Sequence, residues 1–142
     1  MIRPFRELLK VGFVLRILVA DDQEVVRKRI CMILSAYVEY EVCAEASNGW
    51  EAVEMARKLK PDLIVLDISM PLLNGLDAAR SIREFAPNTP ILVLSVHKSK
   101  QLMQEASKIG VRGYVVKEDA VRVLPQAIER ALANQTTFPA GL

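Results

Sequence analysis

The chain has 142 residues, of which 51% are hydrophobic and 25% charged, a size and composition that suit one domain around a single core. Its formal net charge is +2, with acids and bases interspersed, so no basic stripe exists to follow a nucleic-acid backbone and we expect no direct nucleic-acid binding. Charges interrupt the apolar positions of the opening segment, which excludes an export signal or membrane span there. Two cysteines without metal-site spacing favour a reducing, cytoplasmic location.

Short apolar runs alternate with amphipathic segments along the chain. Strands are predicted over residues 15–20, 40–46, 63–67, 91–95 and 113–116, and helices over residues 24–36, 50–59, 76–85, 100–109 and 120–133. Strands that alternate with helices of this length predict right-handed crossovers and a parallel sheet covered on both faces. The expected fold class is therefore α/β, a five-stranded parallel doubly wound sheet of flavodoxin-like order, with the second strand at an edge.

Two terminal segments flank this predicted domain of residues 15–133. Residues 1–14 form an N-terminal extension, which is expected to be loosely ordered, although an amphipathic turn packed on the body or on a partner is the alternative. Residues 134–142 contain threonine, proline and glycine and are expected to be a frayed C-terminal tail.

Polar residues follow four of the apolar runs at the point where each ends. Asp21 and Asp22 follow the first predicted strand, and Asp67, Ser95 and Lys117 end or follow the third, fourth and fifth. Because the carboxyl ends of parallel strands share one edge, where ligands of open α/β sheets bind, these groups should lie together. Each has a simpler interpretation taken alone, and Asp22 in particular could cap the helix that follows it.

Three carboxylates in one place repel each other, so their ionised forms need a cation. Ligation by a few acidic oxygens favours Mg²⁺, which commonly shares its coordination shell with a phosphate. An aspartate can attack a phosphoryl group to form an aspartyl phosphate, while a lysine and a hydroxyl stabilise the phosphoryl oxygens. The pattern therefore indicates Mg²⁺-dependent phosphoryl chemistry.

These residues, with the Met70 to Gly75 loop, resemble the receiver domain of bacterial two-component response regulators, over roughly residues 15–133. The resemblance implies that Asp67 accepts a phosphoryl group from a histidine kinase and that Asp22, Asp67 and the main-chain carbonyl of Ser69 bind Mg²⁺, with assistance from Asp21. It also implies that Ser95 and Lys117 contact the phosphoryl oxygens and that Tyr114 is a switch aromatic coupled to Ser95.

The same resemblance implies that this protein is a phosphorylation-activated switch, not an enzyme beyond its own phosphorylation and dephosphorylation. Its expected partners are a sensor histidine kinase or a phosphotransfer protein, a target or output domain, and a second copy in a homodimer. The residues around Ser95 and Lys117 look most like the branch whose members often carry a helix-turn-helix output domain. The chain is then a stand-alone receiver or a fragment of a longer regulator.

Two departures and two alternatives accompany this interpretation. Glu118 follows the lysine where many receivers have proline, and Val96 follows the switch hydroxyl where a smaller residue is common; Val96 is expected to narrow access to the phosphoryl group. An aspartate-nucleophile phosphatase similar to the haloacid dehalogenase group is one alternative, although Ser69 stands where those enzymes place a second acid. A phosphorylation-independent interaction module is the other.

Overall fold

The computed structural model describes residues 12–140. Its strands are β1 Leu15–Ala20, β2 Tyr40–Ala46, β3 Leu63–Asp67, β4 Ile91–Ser95 and β5 Gly113–Val116. Its helices are α1 Glu24–Ser35, α2 Gly49–Leu59, α3 Gly75–Phe85, α4 Lys100–Ile109 and α5 Ala120–Leu132. Every predicted element is present, and the predicted bounds differ by at most one residue.

The strands form one parallel sheet in the order β2-β1-β3-β4-β5. Every residue of β3 and β4 is buried, whereas β2 contains partly exposed positions. This difference follows from the order of the strands, because the inner strands are covered on both faces and β2 lies at an edge. The predicted fold class and edge position of β2 are confirmed.

Alternate residues along β1 enter two separate hydrophobic clusters. Leu18 and Ala20 pack with buried residues of α2, α3 and α4 on one face. Leu15, Ile17 and Val19 pack with buried residues of α1 and α5 on the other. This alternation is the two-residue period of a strand, and it produces the predicted doubly wound arrangement.

Polar side chains start three of the helices beside the carboxyl ends of strands. Asn48 Oδ1 accepts from Glu51 N–H at 2.8 Å, and Asn74 Oδ1 accepts from Asp77 N–H at 2.9 Å. Ser99 Oγ accepts from Leu102 N–H at 3.2 Å and begins α4 in the same way. Each cap satisfies an N–H that the helix leaves without a partner, and fixes where the preceding loop turns.

The two terminal segments have different outcomes. Most of the predicted N-terminal extension, residues 1–11, lies outside the described residues. The prediction of a frayed segment from Asn134 onward is wrong for its described part, because Thr137 forms a parallel bridge with Gly113 and Phe138 packs on the core. No helix in residues 12–140 is long and apolar enough to cross a membrane.

Candidate functional site

The predicted acidic cluster forms at the carboxyl ends of β1 and β3. Asp21, Asp22 and Asp67 each place a carboxylate oxygen within 4.8 Å of the others. Asp21 and Asp67 are buried, with 0% and 1% of their surface exposed, whereas Asp22 is exposed. The cluster thus has two acids in the protein interior and one at its mouth.

Lys117 extends from the end of β5 to both buried acids. Its Nζ lies 2.9 Å from Asp21 Oδ2 and 3.1 Å from Asp67 Oδ1. The side chain is only 13% exposed, so these ion pairs are shielded from water and much stronger than pairs on the surface. The Lys117–Glu118 peptide bond is trans, as are all those described, and Lys117–Asp119 forms a turn of 3₁₀ helix before α5.

The β1 end is fixed by hydrogen bonds to Asp21. Gln23 N–H donates to Asp21 Oδ1 at 2.9 Å, and Arg27 Nη1 donates to the Asp21 carbonyl at 2.9 Å. Arg27 is held in turn by Glu45 of β2, with Nε 2.9 Å from Oε1. Helix α1 is preceded by Gln23, and no side chain caps it. The alternative that Asp22 caps α1 is therefore wrong, and its carboxylate is available to the cluster.

The β3 end is fixed by the close approach of Gly75. Its N–H donates to the Ile68 carbonyl at 2.8 Å, which brings the start of α3 against the strand end. A Cβ atom at this position would lie 2.1 Å from the Asp67 carbonyl oxygen. Only glycine allows this approach, so Gly75 determines the position of the main chain that carries Asp67.

Burial and charge change the protonation of the cluster. Burial, together with the nearby charge of Asp21, raises the pKa of Asp67 to about 6, despite the opposing effects of Lys117 and of the Ser69 N–H. Burial alone would lower the pKa of Lys117, but its contacts with Asp21 and Asp67 raise it overall. At neutral pH, Asp67 is therefore an ionised carboxylate whose charge is poorly compensated, and Lys117 is a cation.

Ser95 and Tyr114 form a second group of polar contacts beside the cluster. Ser95 follows Leu94, the residue that pairs with Asp67 across β3 and β4. Its Oγ donates to the His97 carbonyl at 2.9 Å, and the Tyr114 hydroxyl donates to the same carbonyl at 2.6 Å. Tyr114 is only 1% exposed. One carbonyl oxygen therefore joins the two predicted switch residues.

The predicted site residues thus have different surroundings. The structure brings together Asp21, Asp22, Asp67 and Lys117. Ser69 contributes a main-chain N–H, 3.3 Å from Asp67 Oδ1, and the role of its carbonyl as a metal ligand stays a prediction. The hydroxyl of Ser95 is directed to the main chain of His97, which is itself an exposed residue.

Sequence reasoning did not identify two residues that act on the site. Arg27 was not singled out, although its spacing from Asp21 along the start of α1 is the signal that could have found it. The His97 carbonyl was missed because a main-chain acceptor has no sequence signature. Arg27 positions the main chain of Asp21, and the His97 carbonyl positions the hydroxyls of Ser95 and Tyr114. Neither places a charge in the acidic cluster.

The donor set fits a hard divalent cation. The oxygen atoms come from three carboxylates, the ligand type that Mg²⁺ prefers. Asp21 Oδ2 is buried, and its contact with Lys117 Nζ at 2.9 Å is an ion pair without good hydrogen-bond geometry. A buried carboxylate oxygen that is incompletely paired is costly, and coordination to a cation would satisfy it.

Comparison with known proteins places this fold and site in a family. The response regulator receiver domain matches residues 17–129. The transcriptional regulatory protein LnrK of Bacillus subtilis is 34% identical over 128 residues, which cover 90% of this chain and 58% of LnrK. The chemotaxis protein CheY of Thermotoga maritima is 40% identical over 102 residues, which cover 72% of this chain and 84% of CheY.

A solved structure agrees with these relatives. The two-component response regulator of the LuxR family from Aurantimonas sp. superposes with a TM-score of 0.83 and 32% identity, covering 87% of this chain and 89% of that one. The chain spans about half the length of several transcriptional regulators that it matches. Transcriptional regulators among its relatives agree with the predicted branch. The chain belongs to the response regulator receiver domains of two-component phosphorelay signalling.

Proposed function

We propose that this receiver domain accepts a phosphoryl group on Asp67 in a Mg²⁺-dependent reaction and acts as a conformational switch. The observation that carries the proposal is the convergence of three carboxylate oxygens within 4.8 Å with the Lys117 ammonium 3.1 Å from Asp67. An ionised nucleophile, an acidic metal site and a fixed cation are the components that phosphoryl transfer to a carboxylate requires.

The chemistry follows from the position of each group. An Asp67 carboxylate oxygen attacks the phosphorus atom of the donor, a bond to the oxygen forms, and the bond from phosphorus to the leaving group of the donor breaks. Lys117 stabilises the negative charge on the phosphoryl oxygens. Asp21, Asp22, Asp67 and the Ser69 carbonyl would hold Mg²⁺, which when bound would supply further neutralisation of the phosphoryl charge.

The phosphoryl donor is a sensor histidine kinase or a phosphotransfer protein, which meets the protein in the cytoplasm. The Ser95 hydroxyl donates to a phosphoryl oxygen, and the change reaches Tyr114 through the His97 carbonyl that both residues share. The outcome is a shift between two arrangements of the face formed by α4, β5 and α5. That face meets a target, an output domain or a second copy.

An aspartate-nucleophile phosphatase would use the same nucleophile and metal. Such an enzyme needs an acid to protonate the leaving group, and the position two residues beyond Asp67 holds Ser69. In a module that works without phosphorylation, the buried pair of Asp21 and Asp67 would only lower stability, because burial and mutual repulsion disfavour the ionised form of Asp67. Self-phosphorylation of Asp67 therefore explains the site better than either alternative.

Intact-mass measurement after incubation with acetyl phosphate and Mg²⁺ tests the proposal. Wild-type protein should gain one phosphoryl group, and the gain should disappear in Asp67→Asn and when Mg²⁺ is chelated. Asp119→Asn is the matched control, since Asp119 is a partly exposed aspartate beside Arg122 and outside the cluster, and it should be labelled like wild type. Labelling of Asp67→Asn to the wild-type extent would overturn the assignment of the acceptor.

A further inference from the structure

The segment after α5 occupies the outer edge of β5. Thr137 N–H donates to the Arg112 carbonyl at 2.9 Å, and Tyr114 N–H donates to the Thr137 carbonyl at 2.8 Å. Through these two bonds Thr137 pairs with the outer edge of β5 as a residue of an added parallel strand would. Residues 134–139 are called the edge segment below.

Side chains hold the edge segment on both sides of this bridge. Arg112 Nη1 donates to Asn134 Oδ1 at 2.9 Å, and Arg130 Nη2 of α5 donates to the Thr136 carbonyl at 2.9 Å. Phe138 packs against the core cluster that contains Tyr114. Polar anchors before Thr137 and an apolar anchor after it give the segment one register on β5.

Glycine at position 113 permits the close approach of the edge segment. A Cβ atom on Gly113 would lie 3.3 Å from the Thr137 carbonyl oxygen and 2.7 Å from Leu92 Cδ2. The absence of a side chain at Gly113 thus leaves room for Leu92 of β4 and for the Thr137 carbonyl of the edge segment.

Tyr114 connects the edge segment to Ser95, which ends β4 beside the acidic cluster. The main-chain N–H of Tyr114 is bound by Thr137, and its hydroxyl is bound by the His97 carbonyl, which also accepts from Ser95 Oγ. Lys117, on the same stretch of chain, pairs with Asp67. Lys117 therefore gives the β5 stretch a direct contact with the cluster, and the His97 carbonyl joins Tyr114 to Ser95 beside it.

We propose that the outer edge of β5 is a docking site for the chain's own edge segment, and that docking and phosphoryl occupancy of the acidic site stabilise each other. The coupling rests on the function proposed above. When the Ser95 hydroxyl donates to a phosphoryl oxygen, it no longer donates to the His97 carbonyl. That carbonyl then accepts a hydrogen bond from the Tyr114 hydroxyl without competition from Ser95. Tyr114 is then held more firmly in its buried position, and its N–H is presented to Thr137. By linkage, the docked segment favours occupancy of the site by the same factor.

Amide hydrogen exchange of Tyr114 reports docking directly, because its N–H is bonded to Thr137 and not to β4. Adding Mg²⁺ with beryllofluoride, a tetrahedral substitute for a phosphoryl group, should slow exchange at Tyr114 and Thr137 by about fivefold or more, a typical size for coupling between two sites. The amides of Leu92 and Val93 in β4 serve as internal references. Unchanged or faster exchange at Tyr114 would overturn the proposal.

Substitutions at one position should move docking in opposite directions. Thr137→Pro removes the N–H that binds Arg112 and should release the segment. Thr137→Val should tighten it, because Thr137 Oγ1 is buried without a hydrogen-bond partner and valine removes that unsatisfied group. Thr136→Val is the matched control, since Thr136 is exposed and contributes only its carbonyl.

The affinity for beryllofluoride with Mg²⁺ should follow the same order. Thr137→Pro should weaken it by the factor measured in the exchange experiment, Thr137→Val should strengthen it, and Thr136→Val should leave it unchanged. If wild-type protein binds beryllofluoride and Thr137→Pro binds it equally well, the coupling is wrong and the proposed function stands. If wild-type protein does not bind it with Mg²⁺, both proposals fail.

Discussion

The acidic cluster and the outer edge of β5 are held together by opposite kinds of interaction. At the cluster, two buried carboxylates share one lysine, and the pKa of Asp67 is raised to about 6. At the edge, main-chain hydrogen bonds and a packed phenylalanine hold residues 134–139, and no buried ion pair involves this segment within residues 12–140. The chemical end of the protein is therefore electrostatically strained, whereas the end beside Tyr114 is held by ordinary strand pairing.

The two regions therefore differ in how each contributes to the stability of the fold. The charge of Asp67, the proposed phosphoryl acceptor, is incompletely compensated, and binding of a cation would relieve it. The edge segment, which is proposed to respond, is held by a few main-chain and side-chain hydrogen bonds and by Phe138 at the surface of the core, so its opening should cost less than global unfolding. Substitutions should therefore have different signs and sizes in the two regions.

The largest effect is expected where the chain supports the cluster. Gly75→Ala should lower the free energy of unfolding by more than about 4 kcal/mol, because its Cβ would overlap the Asp67 carbonyl, a backbone atom that cannot move aside. Urea denaturation followed by circular dichroism measures this. Gly110→Ala is the control: Gly110 has a φ of 89° but its nearest neighbour is 3.9 Å away, so a loss of only about 1 kcal/mol is expected. Similar losses would contradict the close-approach argument.

Removal of the shared cation should be nearly as costly. Lys117→Met leaves Asp21 and Asp67 buried without their partner and should destabilise the fold by about 3 kcal/mol at pH 8. The exposed Lys28, which pairs with Glu45, provides the matched control, and Lys28→Met should leave stability almost unchanged because exposed ion pairs contribute little. Both values come from urea denaturation at the same pH. An equal effect of the two substitutions would show that Lys117 contributes no buried ion pairing.

Neutralisation of Asp67, the proposed acceptor, should change stability in the opposite direction. The pKa of Asp67 in the folded protein, about 6, lies above its ordinary value of 3.8, so the folded state binds this proton more tightly than the unfolded chain. Its contribution to stability is therefore fully present below about pH 4 and is lost as the pH rises to about 6. Asp67→Asn removes this loss and should stabilise the metal-free protein by about 2 kcal/mol at pH 8.

Thermal unfolding of wild type and Asp67→Asn over pH 3.5 to 8 in a chelating buffer measures the difference. The two proteins should converge at the acidic end and diverge as the pH rises. Asp119→Asn should follow wild type throughout. An Asp67→Asn variant that is less stable than wild type at pH 8 would show that Lys117 compensates the buried charge fully, contrary to the contrast between the two regions.

The smallest effect is expected at the outer edge of β5. Phe138→Ala removes a partly buried side chain from the surface of the core and should lower stability by about 1 kcal/mol, less than for a fully buried aromatic. The measurement is urea denaturation, with Val121→Ala as the control at an exposed apolar position of α5, which should be almost neutral. Equal, negligible effects would mean that the edge segment is not anchored by its phenylalanine.

The sequence predicted most of the fold because its signals are local and repeated. Buried strands such as β3 are uninterrupted apolar runs, and the polar residues at their ends include Asp67 and Lys117, which the structure brings within 3.1 Å. Parallel strand order converts these positions into one cluster without any further information. Some observed helices begin one residue earlier than predicted. In α2, for example, the Asn48 cap determines the first turn, and the apolar pattern does not reveal it.

The sequence-based predictions were wrong or incomplete where main-chain contacts determine the local structure. The edge segment contains threonine and proline and lacks strand periodicity, yet two main-chain bonds and one phenylalanine order it. Aspartate is a residue type that often caps helices, which suggested this role for Asp22. Helix α1 instead begins at Glu24, with Gln23 at the cap position and no side-chain cap. The shared acceptor at His97 is a carbonyl oxygen, which every residue possesses. Such contacts depend on the fold as a whole.

The most direct test of the central claim is to trap the phosphorylated residue chemically. Borohydride reduces an aspartyl phosphate to homoserine with release of phosphate, so protein treated with acetyl phosphate and Mg²⁺, then reduced and digested, reveals its acceptor by mass spectrometry. Homoserine at position 67, absent without Mg²⁺, is the predicted result. Modification at Asp21, at Asp22 or at none of the three acids would contradict the claim that Asp67 is the phosphoryl acceptor.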